Sequence, residues 1–290
     1  MSLTNTGAGQ IGMYKSPGYT TPARLTGTPL FSQLSSAAVA SAMGAFSLRA
    51  VNGSSAKAVQ IRNGTTSATQ DFYADRLGNL LTAPVTGQTL SRWLGGATGY
   101  VATWYDQSGK GNHMSCSSTG IQPKIDLVNN WVDFKTSAYF DTSANPAAGP
   151  SPWDSTKRYT VTCHHNTIGN TGGPFCASND VGGSLANKQN AFQRSNANYN
   201  NGWNSNPGTG GTYVDGNKVS FKWDGTSRYI YGNGTLQATL GGIGWAQTSS
   251  ESQRIGIAPF STSINGEMYS IFMFNTALSD ADRVLVEAAS

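Results

Sequence analysis

The most constraining stretch of this chain is Tyr100–His113, where an alternating run ends in a polar turn. Tyr100, Val101, Thr103, Trp104 and Tyr105 are the β-branched and aromatic residues that suit a pleated, half-buried strand. Asp106-Gln107-Ser108-Gly109-Lys110-Gly111-Asn112-His113 follows, with two glycines spaced so that the backbone can take positive φ twice. Asp106 and Asn112 are side chains that close such a turn by bonding nearby backbone amides. A chain built around this unit folds as sheet, and its composition agrees. Only 12% of the residues are charged and 35 of 290 are Gly, whereas helices would want more Glu, Lys and Leu.

The rest of the chain repeats the pattern. Ala45–Val51 and Ala58–Arg62 alternate as strands on either side of Asn52-Gly53, which predicts a hairpin. Residues 86–99 supply a helix or loop around Leu90, Trp93 and Leu94, and short strands are expected at 131–134, 139–141 and 159–165. Lys218–Trp223, Asp224-Gly225 and Arg228–Gly234 spell a hairpin and a second turn, and Gly266–Phe274 is a long strand. Ser279, with Asp282 three residues on, marks the start of a short last helix. Residues 166–211, rich in Asn and Gly, are expected as loops and short edge strands.

Two stretches resemble a known family. Trp104–His113 resembles the WYDQSGNGNH signature of the α-L-arabinofuranosidase B catalytic domain and of related laminin-G and concanavalin-like domains, with Lys110 as the departure. Asn275–Asp282 is similar to the closing N-x-A-L-S-D element of the same families, and the likeness spans residues 44–290. It implies an all-β fold: an antiparallel β-sandwich of the concanavalin-like jelly-roll type, with an extended N-terminal arm and a short C-terminal helix. The domains are then 1–43, the arm, and 44–290, the sandwich. Pro17, Pro22 and Pro29 keep the arm from forming a helix or a central strand. Its scattered Leu3, Ile11, Met13, Tyr14, Tyr19, Leu25, Leu30, Phe31 and Leu34 suit a strap that drops single side chains into pockets of a neighbour or of the sandwich flank.

The family's chemistry needs two carboxylates about the scissile bond, about 5–5.5 Å apart for retention. This chain has three Glu: Glu251, Glu267 and Glu287. Where the family carries its nucleophile this sequence has Asn190, and where it carries its acid there is Ile257-Ala258-Pro259-Phe260. An amide cannot form a glycosyl ester, and no proton donor stands in the second place. The expectation is therefore no catalytic residues and no enzymatic activity. Trp203, Tyr199 and Asn201, in the Asn-rich stretch, are the candidate glycan-binding residues: aromatic rings beside amides that suit hydroxyls. Trp104, Tyr105, Asp106, Gly109, Gly111, Asn112 and His113 are expected to form a structural turn. Cys163-His164-His165 cannot converge as metal ligands on one strand, since neighbouring side chains point to opposite faces, so no metal or other cofactor is expected.

A net charge of +4 without a basic cluster argues against nucleic acid, and no run approaches a membrane span. Cys116, Cys163 and Cys176 are too few for a disulfide framework, and Met1–Gly7 lacks the regions of a signal peptide. Domains with this signature and no signal peptide look like those encoded by large DNA viruses and phages. The sequence thus leads to a structural protein of a symmetric assembly: a virion component made in the host cytoplasm, meeting other structural proteins through its arm. The alternative is a carbohydrate-binding module, and a degenerate arabinofuranosidase-like hydrolase stands third.

Overall fold

The computed structural model of the chain describes residues 28–129, 131–134, 138, 140–141, 158–167, 171–178, 190–195, 198–203, 206–212, 218–241, 252–256 and 266–290. These begin with α1 (Leu30–Gln33), α2 (Ser36–Ser41), β1 (Ala42–Ser47), β2 (Ser55–Asn63), β3 (Thr69–Asp75), β4 (Leu80–Leu81), α3 (Leu90–Leu94) and β5 (Gly99–Trp104). Next come β6 (Met114–Ser115), β7 (Lys124–Asp126), β8 (Trp131–Asp133), β9 (Phe140–Asp141), β10 (Tyr159–Thr167) and β11 (Thr171–Ser178). β12 (Asn190–Ser195), β13 (Asn198–Trp203), β14 (Asn206–Thr212), β15 (Lys218–Trp223) and β16 (Ser227–Gly232) follow. The chain closes with β17 (Thr235–Gly241), β18 (Ser252–Ile255), β19 (Gly266–Phe274) and α4 (Asp280–Ala289).

The strands form two antiparallel sheets. The larger has thirteen, in the order β17-β16-β15-β10-β19-β8-β7-β5-β2-β3-β4, with β1 beside β19 and β6 beside β5; the smaller has six, in the order β14-β13-β12-β11-β18-β9. β19 is the axis of the larger sheet. One of its edges pairs with β10, and the other pairs with β1 over Ser270–Phe274 and with β8 at Glu267 and Met268. Its almost unbroken apolar run follows from cover on both faces. Ile271 and Met273 belong to the core between the sheets, with Phe46, Trp104 and Phe221 and with Phe140 and Ile255 of the smaller sheet. Phe272 and Phe274 belong to a second core with Leu30, Phe31, Leu34, Ala38 and Val286 of the helices. Trp104 anchors the first core, its ring 5.9 Å from Phe46 and 6.1 Å from Phe140. The fold is an all-β sandwich with a short C-terminal helix.

α4 starts as its sequence predicts, with the Ser279 hydroxyl accepting from the Asp282 amide at 3.1 Å. The Asp282 carboxylate does more than serve its own helix. It accepts from Ser279 Oγ at 2.8 Å, from the Ser35 amide at 2.9 Å and from Ser35 Oγ at 2.8 Å, so one carboxylate ties the N-termini of α2 and α4 together.

Two local expectations change, that at Asn52-Gly53 and that in the Asn-rich stretch. Asn52-Gly53 does not join a hairpin: β1 pairs with β19, and β2 pairs with β3 and β5. Of the expected arm 1–43, residues 1–27 lie outside the described residues, and the remainder packs onto the sandwich through Leu30, Phe31 and Leu34. The Asn-rich stretch is less loop than expected, since β12, β13 and β14 run through it in consecutive pairing.

Candidate functional site

The turn after β5 is a clamp. Asp106 Oδ1 accepts from the amides of Ser108 at 2.8 Å and Ala45 at 2.9 Å, while Oδ2 accepts from Ser108 Oγ at 2.8 Å and the Asn112 amide at 3.1 Å. Gln107 Oε1 accepts from the Val51 amide at 3.0 Å, and its Nε2 donates to the carbonyls of Ser47 at 2.9 Å and Arg49 at 3.0 Å. Asn112 Nδ2 donates to the Met43 carbonyl at 2.5 Å. Gly109 at φ +86° and Gly111 at φ +77° turn the chain where an L side chain would strain it. The polar side chains of the signature thus satisfy backbone groups of β1 and of the segment that leaves it. The turn thereby ties β1 and the start of the β1–β2 connection to the end of β5.

Beside this clamp lies a cavity of about 300 Å³, lined by Asn52, Ser55, Ala56, Lys57, Tyr105, Asp106, Gln107, Gly109 and His113. Its polar wall is preorganised by Asp71. That carboxylate accepts from Lys57 Nζ at 2.7 Å, Tyr105 Oη at 2.7 Å and Gln60 Nε2 at 3.1 Å. Lys57 also sits 4.4 Å over the Tyr105 ring, and His113 meets that ring edge-on at 5.0 Å. Burial alone would raise the Asp71 carboxyl, but Lys57 and Tyr105 outweigh it and hold it below its usual range. Burial, then Asp71, pushes the Tyr105 phenol up to about 12. Burial also lowers His113, which stays neutral at pH 7, and its Nδ1 accepts from the Asp106 amide at 3.1 Å. The wall is a set of fixed donors and acceptors with its one cation matched by a carboxylate.

A second polar feature crosses the same sheet. Successive strand pairings align Arg62 with Tyr100, Tyr100 with Lys124, Lys124 with Asp133, Asp133 with Glu267, and Glu267 with Asn166. Asp133 and Glu267 are therefore directly opposed across β8 and β19. In an antiparallel pair this puts their Cβ atoms about 4.5–5.5 Å apart.

Of the residues expected from sequence, Tyr105, Asp106, Gly109 and His113 line the cavity, with Trp104 in the core beneath it and Gly111 and Asn112 in the turn itself. Tyr199, Asn201 and Trp203 occupy alternate positions of β13, and their side chains lie outside the described residues. Asn190 begins β12, Glu251 and 257–260 fall outside the described residues, and Glu287 is paired with Arg283 at 2.5 Å. Cys163 is buried in the core, while His164 meets Trp131 edge-on at 4.9 Å and lies tilted at 5.6 Å from Tyr269. Among the described residues no group of three or more His, Cys, Asp and Glu could hold a metal ion, and no helix is long and apolar enough to cross a membrane. Sequence reasoning missed Lys57, Asp71 and the Asp133–Glu267 opposition, because no local spacing signals contacts that strand register creates.

No family profile and no curated protein matches the chain. Solved structures do share its fold. An arabinofuranosidase complexed with arabinofuranosyl-α-1,2-xylobiose has a TM-score of 0.65 at 14% identity, covering 86% of this chain and 62% of that one. A GH54 α-L-arabinofuranosidase soaked with a cyclic sulfate inhibitor has a TM-score of 0.61 at 15% identity, with the same coverage. The chain thus spans about three-fifths of the length of the arabinofuranosidases it matches. A Ruminococcus gnavus IT-sialidase CBM40 bound to α2,3-sialyllactose is a looser match, with a TM-score of 0.43 at 16% identity over 54% of this chain and 95% of that one. These matches correct the expectation of a virion structural protein without enzymatic activity: the solved structures that share this sandwich at TM-scores of 0.61 and 0.65 are arabinofuranosidases.

Proposed function

We propose that this chain is a carbohydrate-binding domain. The observation that carries it is the sharing of one sandwich, over 86% of the chain, with arabinofuranosidases, one of them holding an arabinose-substituted xylobiose. The polar cavity supports the same reading, since a wall of paired donors and acceptors suits hydroxyl groups. A glycan array probed with the labelled full chain is the test. Signal on one class of oligosaccharide, lost in competition with the free sugar, is the expected result; no signal on any class overturns the proposal.

Glycoside hydrolysis is the second reading, favoured by the Asp133–Glu267 opposition. The register puts their Cβ atoms side by side, and a retaining mechanism would need side-chain rotamers that set the two carboxyl groups about 5–5.5 Å apart. In it one carboxylate attacks the anomeric carbon while the other, protonated, gives its proton to the departing glycosidic oxygen. Release of 4-nitrophenol from 4-nitrophenyl α-L-arabinofuranoside, abolished in both Asp133→Asn and Glu267→Gln, is the expected result. Unchanged release in both variants removes this pair from the chemistry.

A further inference from the structure

We infer that the cavity beside the signature turn, walled by Lys57, Tyr105, Ser55, Asn52 and His113, is a binding site for one uncharged sugar ring. This rests on the proposed carbohydrate binding and names its place. Size is the first argument: about 300 Å³ admits a single furanose or pyranose and leaves the remainder of a glycan outside. The second is charge. Lys57 is matched by Asp71 at 2.7 Å, the Asp106 carboxylate is surrounded by two amides of its own turn and one of β1, and His113 is neutral at pH 7. A free anion would meet no unmatched cation at this wall, and a cation no unmatched carboxylate. An uncharged polyol fits what is left.

The third argument is the kind of contact on offer. Lys57 Nζ gives one of its protons to Asp71 and keeps others for a ligand oxygen. Tyr105 Oη donates to Asp71 and so presents a lone pair to a ligand hydroxyl. Ser55 Oγ, on the same wall, is buried and has no hydrogen-bond partner in the protein. A buried hydroxyl left in that state is costly, and a ligand oxygen would satisfy it. One face of the Tyr105 ring lies under Lys57, so on that side the contacts on offer are hydrogen bonds. Asp71 does not line the cavity. It is a positioning residue, holding the ammonium and the phenol in place.

The test uses the full chain with arabinofuranosyl-xylobiose and, in parallel, free L-arabinose and glucuronate as probes. Affinities are measured for wild type, Lys57→Met and Tyr105→Phe, with melting temperatures recorded alongside. The expected result is saturable binding of a neutral probe, weakened at least tenfold in both variants, with no binding of glucuronate. Protection of Lys57 from acetylation by the same neutral probe, mapped on wild-type protein by mass spectrometry, gives the answer even where a variant folds poorly. A neutral probe that binds wild type and both variants equally, without protecting Lys57, overturns this site and leaves the carbohydrate reading standing. Tight binding of glucuronate overturns the charge argument. Binding of none of the probes, together with a blank glycan array, overturns the site and the carbohydrate reading together.

Discussion

Replacing Asp282 with Ala tests how the N-terminal helices are held to the sandwich. The carboxylate accepts three hydrogen bonds, from the Ser35 amide, Ser35 Oγ and Ser279 Oγ, and it sits where α2 and α4 begin. Without it the Ser35 amide is left without an acceptor in a partly buried setting, a loss of about 1–3 kcal/mol. The two hydroxyls lose charge-assisted partners but can turn to water, and the weakened caps add about 1 kcal/mol. The sum is about 2–4 kcal/mol, large enough to loosen Leu30, Phe31 and Leu34 from the core they share with Phe272 and Phe274. Asp282→Asn keeps one acceptor oxygen and should lose about half as much. Burial would raise this carboxyl, yet the Ser35 and Ser279 bonds outweigh it and hold it below its usual range. A depressed carboxyl contributes stability that is present above the ordinary carboxyl range of about 4 and is lost as pH falls through the lower folded value. Urea unfolding at pH 7 and at pH 3, with wild type beside Asp282→Asn, reads both effects. A loss below 0.5 kcal/mol for Ala (about a factor of two in the folding constant), or an Asn difference that does not shrink in acid, would refute the reasoning.

The signature clamp makes a second prediction: Gln107→Ala strands the Val51 amide and two carbonyls in a buried place and should cost about 2–4 kcal/mol in urea unfolding. A cost under 1 kcal/mol, on the order of a single ordinary hydrogen bond, would show that water replaces the side chain. Gly256 has φ +90°, and a Cβ there would stand 2.2 Å from the Phe134 ring, so Gly256→Ala should lower the melting temperature by many degrees; an unchanged melting temperature contradicts the packing. Val85 is β-branched, 72% exposed and at φ +67°, so Val85→Gly should stabilise by about 1 kcal/mol despite the entropy Gly adds to the unfolded chain. Destabilisation by that amount would mean that the residue makes contacts its exposure does not suggest.

The parts of this fold that were legible in the sequence are those decided locally. β19, the β15–β16 hairpin, α4 with its Ser279 cap and the turn at 106–113 all announce themselves by alternation, by turn residues or by a capping pair. Where a distant partner decides, sequence misleads. Ala42–Ser47 and Ser55–Asn63 look like the two arms of a hairpin, but β1 finds its partner more than 200 residues away, and Gln107 holds the intervening segment aside. Leu30, Phe31 and Leu34 look like isolated anchors on a strap until Phe272, Phe274 and Val286 give them a common core. The Asn- and Gly-rich strands β12–β14 have poor intrinsic propensity and are made by their neighbours in the ladder. The site divides the same way. Tyr105, Asp106 and His113 are visible in the signature, whereas Lys57 and Asp71 join them only through the β2–β3 register.

The central claim, that this sandwich engages a saccharide, is met most directly by calorimetric titration of the full chain with arabinofuranosyl-xylobiose, with the mixture analysed afterwards for free arabinose. Saturable heat of binding is the predicted result, and arabinose in the mixture would add hydrolysis to it. A flat titration with the trisaccharide recovered intact, repeated with the neutral oligosaccharides of the array, would contradict the claim.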